Sequence, residues 1–194
     1  GRIQQAGEGD LNISADSLNA AQGTLLSAGA LNISTQAETD IEAGNLQATE
    51  MQINAASINA QNAQLQSSSE GNTQLNATQG INLTNADVRI GAFRAEADTL
   101  DLTDGALQAQ QDISISIQGT LHNNNASMVA ANQITLDVDN IENTHGLISA
   151  LQGDLSIQSR NNIDNQEGRL ESGGLMTLDA NDQIINRQGT ILGN

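Results

Sequence analysis

The 194-residue sequence predicts an all-β parallel β-helix of nine to ten coils wound as three short parallel sheets, and three observations point there. An apolar anchor recurs at Ile3, Leu25, Leu46, Leu65, Val88, Leu107, Met128, Ile148, Leu170 and Ile191, at intervals of 22, 21, 19, 23, 19, 21, 20, 22 and 21 residues. Between anchors, apolar and polar residues alternate, the pattern of a strand with one buried face, and no helical period persists. Pro and Cys are absent and one Phe is the only aromatic residue. In such a coil nearly every backbone N–H points at a neighbouring coil, so Pro would remove a ladder bond, and a narrow interior has little room for rings.

Each coil follows one grammar. Two residues past the anchor stands a small side chain (Ser27, Ala48, Ser67, Ala109, Ala130, Ala150, Ser172), with Ile90 the exception. Alternating pairs or triplets follow: Leu11/Ile13, Leu31/Ile33, Met51/Ile53, Leu100/Leu102, Ile113/Ile115/Ile117, Ile134/Leu136/Val138 and Leu155/Ile157. A third apolar point lies seven residues before the next anchor at Leu18, Ile58, Ile81, Leu100, Leu121, Ile141, Ile163 and Ile184, while Ile41 lies five before. Asn, Gly, Asp and Gln between these runs mark turns. Units this small cannot bury their own apolar faces and must stack, which at about 4.8 Å per coil makes a rod of roughly 43 Å.

Asparagine is placed by position. Asn123, Asn143, Asn165 and Asn186 each follow the third apolar point by two residues, and three residues later stand Gly146, Gly168, Gly189 or, once, Ala126. The four amides are expected to form a structural ladder from coil to coil, with the left-handed conformation that Asn tolerates and glycines at the turns.

Composition excludes several functions. No Cys means no disulfide framework or thiolate site, and His122 and His145 alone do not make a zinc centre. A net charge of −17 with six Arg and no Lys repels nucleic-acid phosphates and anionic lipid. No apolar run approaches the ~20 residues that span a bilayer, and the first ten residues carry no signal-peptide pattern. No cofactor is expected.

From Leu121 onward the chain resembles the haemagglutinin repeats of filamentous haemagglutinin-like exoproteins, whose pattern is I-x-N-x-x-G-x-[LI]-x-[AS] followed by L-x-[LI]. The match runs through Ile141, Asn143, Gly146, Ile148, Ala150, Leu155 and Ile157; through Ile163, Asn165, Gly168, Leu170 and Ser172; and through Ile184, Asn186, Gly189 and Ile191. The resemblance implies a right-handed β-helical shaft. It also implies an internal segment of a very long secreted protein of Gram-negative bacteria, exported through an outer-membrane partner transporter by two-partner secretion. Such proteins act as adhesins or, in contact-dependent inhibition, carry a C-terminal toxin to a target bacterium, so the implied partners are that transporter and a host-cell or target-cell receptor. Neither the family's N-terminal secretion domain nor its VENN motif is present.

The alternative is a carbohydrate-active β-helix enzyme or carbohydrate-binding module. Asp137 and Asp139 flank Val138 in the arrangement a paired acid and base needs, although a solvated strand surface has the same pattern. Residues 65–103 are the least regular coils, the place for a loop or extra-helical element. They hold the polar run Ser67–Asn72 and the candidate recognition patch Arg89, Phe93 and Arg94, where the structural reading has Phe93 filling a gap left by a shifted coil. Five N-x-[ST] sequons (Asn12, Asn32, Asn76, Asn82, Asn125) are near chance frequency in a chain with 23 Asn. The calcium-binding nonapeptide of β-rolls is absent.

Overall fold

The computed structural model describes residues 1–194 as strands and turns with no helix. Three parallel sheets of ten, nine and nine strands run the length of the chain, and each strand pairs with its equivalent one coil before and one coil after. One coil shows the plan: Ala106–Ala109 belongs to the first sheet, Ile113–Ile117 to the second and Thr120–His122 to the third. The chain then turns back into the first sheet at Ser127–Ala130. The anchors form one column in the first sheet, in register from Ile3 to Ile191. The fold is a β-solenoid.

The core is a single stack of 44 buried apolar residues drawn from the inner faces of all three sheets. Within the strands and at the turns, 143 backbone–backbone hydrogen bonds tie 194 residues together, so at most positions a Pro would break one. The stack is open at both ends. Ile3 is 43% exposed, Ile184 46% and Ile191 38%, and Leu11, Ile13, Leu18, Met176 and Leu178 are only partly covered.

Residues 65–103 keep the register of all three sheets. The extra residues of the 23-residue interval lie in the corner Ser67–Gly71, where Ser68 Oγ donates to the Thr49 carbonyl at 3.0 Å and Gln111 Nε2 to the Ser69 carbonyl at 3.0 Å. Two strand assignments move. The second-sheet strand of the Val88 coil is Ala92–Ala97, with Phe93, Ala95 and Ala97 inward, and Asn72–Ala77 precedes it with Thr73, Leu75 and Ala77 inward. Leu100 belongs to the third sheet only, between Ile81 and Leu121, and Leu102 follows it at the next turn. The alternation had been hidden because small residues fill these inward positions. Similarly, Thr39 and not Ile41 occupies the third-sheet core position between Leu18 and Ile58. Its hydroxyl is tolerated there, fully buried, because it lies 2.9 Å from that of Thr35.

The left-handed residue of each coil is neither the ladder Asn nor the Gly. Nine non-Gly residues have φ between 52 and 59°, each three positions before an anchor: Gln22, Ala43, Asn62, Asn85, Asp104, Asn125, His145, Glu167 and Gln188; no Gly has positive φ. Eight of these nine turns, all but the one at Gln188, are closed by a backbone bond from the next residue to the one three earlier, as in Gly105 N–H to Leu102 O at 2.7 Å. An L-residue in this region costs about 1–2 kcal/mol, less for Asn or Asp. Ala43→Gly is therefore expected to stabilise the rod by about 0.5–1 kcal/mol after the entropy of the unfolded chain is subtracted, and Asn62→Gly by less; urea unfolding of the two variants separates them.

Candidate functional site

The polar interior is the most distinctive feature of the rod. Five residues before each anchor the chain places Ala20, Ile41, Ala60, Leu83, Leu102, Asn123, Asn143, Asn165 and Asn186. The first five are aliphatic and the last four are amides. Asn123, Asn143 and Asn165 are fully buried. Asn123 Nδ2 donates to Asn143 Oδ1 at 2.6 Å, Asn143 Nδ2 to Asn165 Oδ1 at 2.6 Å, and Asn165 Nδ2 to Asn186 Oδ1 at 2.8 Å. The same Nδ2 groups reach turn carbonyls, such as Gly146 O and Arg169 O from Asn143. The ladder has a direction: each carbonyl faces the coil before. At its lower end Leu102 has nothing to donate, and Asn123 Oδ1 is buried without a partner.

The turn glycines belong to this ladder for steric reasons. A Cβ on Gly146 would overlap the Asn123 carbonyl oxygen and Asn143 Oδ1, and on Gly168 or Gly189 it would meet the equivalent atoms one and two coils on. Where the ladder is aliphatic the turns sit farther apart: a Cβ on Gly105 would lie 3.0 Å from the Leu83 oxygen, and Ala63 and Ala86 occupy the same position in their coils. Asn and Gly three residues apart are thus one device, in which the amide draws successive turns together and Gly makes the approach fit.

A second column, unrecognised in the sequence, runs along the outside of the third sheet: Asn19, Asp40, Asn59, Asn82, Asp101, His122, Glu142 and Asp164. In six of these coils the side-chain oxygen accepts the backbone N–H two residues on, at 2.9–3.4 Å, starting the turn. His122 and Glu142 pair with each other instead, at 2.8 Å, and Asn124 Oδ1 takes over the N–H of Thr144 at 2.9 Å. The signal was an Asn or Asp six residues before most anchors.

The other candidates disperse. Phe93 is 2% exposed in the regular second-sheet stack between Thr73 and Ile113, so no coil has shifted around it and its ring is not a surface feature. Arg89 lies on the first sheet beside Asp87, 3.0 Å away, and Arg94 on the outer face of the second. Asp137 and Asp139 are both bridged by Arg160, at 3.3 and 3.2 Å, on a solvated face. His145 pairs with Glu167 at 2.8 Å, and no three His, Asp or Glu side chains converge to hold a metal ion.

A solenoid of stacked coils with an interior amide ladder and turn-starting Asn/Asp on its surface is a structural repeat protein. The haemagglutinin repeat model matches residues 6–85, 52–125 and 129–193, and the chain belongs to that family. Its repeats are of the structural, adhesin type, and proteins that carry them are generally secreted or surface-exposed. No curated protein and no solved structure matches the chain.

Proposed function

We propose that this chain is a rigid, non-catalytic shaft segment of a large secreted, surface-displayed exoprotein, which holds an adhesive or toxin-bearing region away from the cell. The observation that carries the reading is the uninterrupted register of all three sheets over the whole chain in a member of the haemagglutinin repeat family. Such a rod transmits position through its backbone ladder, because each coil is bonded to both neighbours and no hinge interrupts the stack. Export through an outer-membrane transporter of the two-partner type suits it. A chain without Cys threads a pore unfolded, and coils emerging in sequence stack on those already outside. The receptor on a host cell or target bacterium is met by another part of the exoprotein.

Whole-coil deletion tests this. Removing residues 107–127 joins Ala106 to Met128, the next anchor in register with Leu107, and is expected to leave the exoprotein secreted, folded and active in adhesion or toxin delivery, only shorter. Removing half a coil should abolish display by putting core residues outside. Loss of cell binding from the whole-coil deletion, with normal secretion, would sink the shaft reading.

A further inference from the structure

Along the corner between the first and second sheets the rod is not uniformly convex. From the anchor to the first inward residue of the second sheet, Ile3 to Leu11 and Leu65 to Thr73 span eight residues, whereas Leu25 to Leu31 and Leu46 to Met51 span six and five. The longer corners of the outer two coils stand as walls, and between them lies a saddle of about 450 Å³. Its upper wall is braced, since Ser68 Oγ donates to the Thr49 carbonyl and Ser67 Oγ accepts the Gly91 N–H at 3.2 Å.

The lining is unlike the rest of the surface. Gln4, Gln47 and Gln66 stand in one outward column with Leu26, in register across four coils. Thr49, Ser67 and Ser68 supply hydroxyls, Leu26 and Ala28 supply apolar surface, and no ionisable side chain lines the saddle although the chain carries a net charge of −17. Several surface asparagines are engaged with one another from coil to coil, Asn32 with Asn12 at 2.8 Å, Asn76 with Asn54 at 2.7 Å and Asn85 with Asn62 at 2.7 Å. The amides of Gln4, Gln47 and Gln66 make no such bond within the chain.

We propose that this saddle binds a short, neutral, linear oligosaccharide laid along the rod axis. A side-chain amide presents a donor beside an acceptor, which matches a pair of neighbouring sugar hydroxyls, and three amides at coil spacing give repeated anchorage along such a chain. Leu26 lies between Gln4 and Gln47 as a seat for the apolar face of a pyranose ring. Three of the four corners carry carboxylates, Glu8 and Asp10 in the first, Glu50 in the third and Glu70 in the fourth, and no cationic side chain lines the saddle, so acidic glycans are repelled. An extended peptide would need a free sheet edge, and the strands that carry Leu26, Gln47 and Gln66 are paired on both sides; the one free edge, at Arg2–Gln5, faces along the axis away from them. Without an aromatic platform the affinity of one site is millimolar, and useful binding comes from several such sites on one filament.

The test is a titration of the 194-residue chain with maltotetraose, cellotetraose and chitotetraose, with tetragalacturonate as the acidic comparator, followed by the side-chain amide signals in nuclear magnetic resonance. Saturable shifts on Gln4, Gln47 and Gln66 with at least one neutral sugar at up to about 10 mM are expected. The double variant Gln47→Ala/Gln66→Ala should bind about tenfold more weakly, two hydrogen-bonding groups being lost from exposed positions. Gln108→Ala, in the same column outside the saddle, should bind as the parent does. No saturable shift from any neutral sugar, equal binding of tetragalacturonate, undiminished binding by the double variant, or equal loss in Gln108→Ala would each overturn the proposal. None of these outcomes touches the whole-coil deletion result, so the two readings fail separately.

Discussion

Asn143→Ala is expected to lower the free energy of unfolding by about 3–5 kcal/mol, more than an exposed polar truncation by an order of magnitude. The side chain is fully buried, its Oδ1 accepts from Asn123 and its Nδ2 donates to Asn165, both at 2.6 Å. Removing it deletes both bonds and strands Asn165 Oδ1 in the interior. An unpaired buried acceptor costs roughly 1–3 kcal/mol, to which the cavity adds. Asn123 Nδ2 keeps the Leu147 carbonyl at 3.2 Å, which limits the loss on that side. Because each coil senses its neighbours, amide hydrogen exchange should accelerate between residues 123 and 168 and change little before residue 83. Uniform loss of protection along the rod, or a loss below about 1 kcal/mol, would show that the ladder does not hold the turns together.

Phe93→Ala should cost a similar amount, about 3–5 kcal/mol, with unchanged binding to any cell surface. The ring occupies an ordinary position of the second-sheet stack, with Ile113 in the coil after but smaller neighbours otherwise: Thr73 in the coil before, and Ala95 two residues on where other coils carry Ile or Leu. Truncation leaves a cavity with walls that the backbone ladders prevent from collapsing. Thr73→Val provides the contrast. Thr73 is 1% exposed with an unpartnered hydroxyl, so a near-isosteric methyl is expected to raise stability by about 1 kcal/mol. Thermal melts of the two variants should move in opposite directions. If Phe93→Ala left the melting temperature unchanged but reduced binding, the ring would belong to a surface site after all.

The amide ladder and the aliphatic column share one position and solve one problem differently. Ile41, Leu83 and Leu102 fill the corner with apolar volume, whereas the amides bond along the axis and bring the turns close enough to require Gly. Their junction has a visible cost in the unpaired Asn123 Oδ1 above Leu102. The family pattern is explicit only in the second half for this reason: Asn and Gly are tied to each other, while an aliphatic residue makes no demand on the residue three places on.

Much of the fold was legible because a solenoid repeats its instructions. Ten anchors in register followed from spacing alone, since a column one coil apart must recur at the coil length. The absence of Pro, Cys and nearly all aromatic residues followed from a backbone bonded in both directions around a narrow core. Other features were silent in the sequence because they depend on what lies one coil away, some twenty residues distant. Ala95 and Ala97 read as weak strand residues until Ile115 and Ile117 are placed beside them. Thr39 reads as polar until Thr35 is found at 2.9 Å. The charge shows the same division. Composition established that the rod is acidic, but only the structure shows Asp10, Asp112 and Asp154 accepting backbone N–H groups of the following coil, at Ala30, Gln133 and Leu175, and Asp40, Asp101 and Asp164 starting turns. Period, core and class are properties of one coil repeated and can be read along the chain, whereas the pairing of a side chain is decided across the stack, where only the tertiary structure brings the partners together.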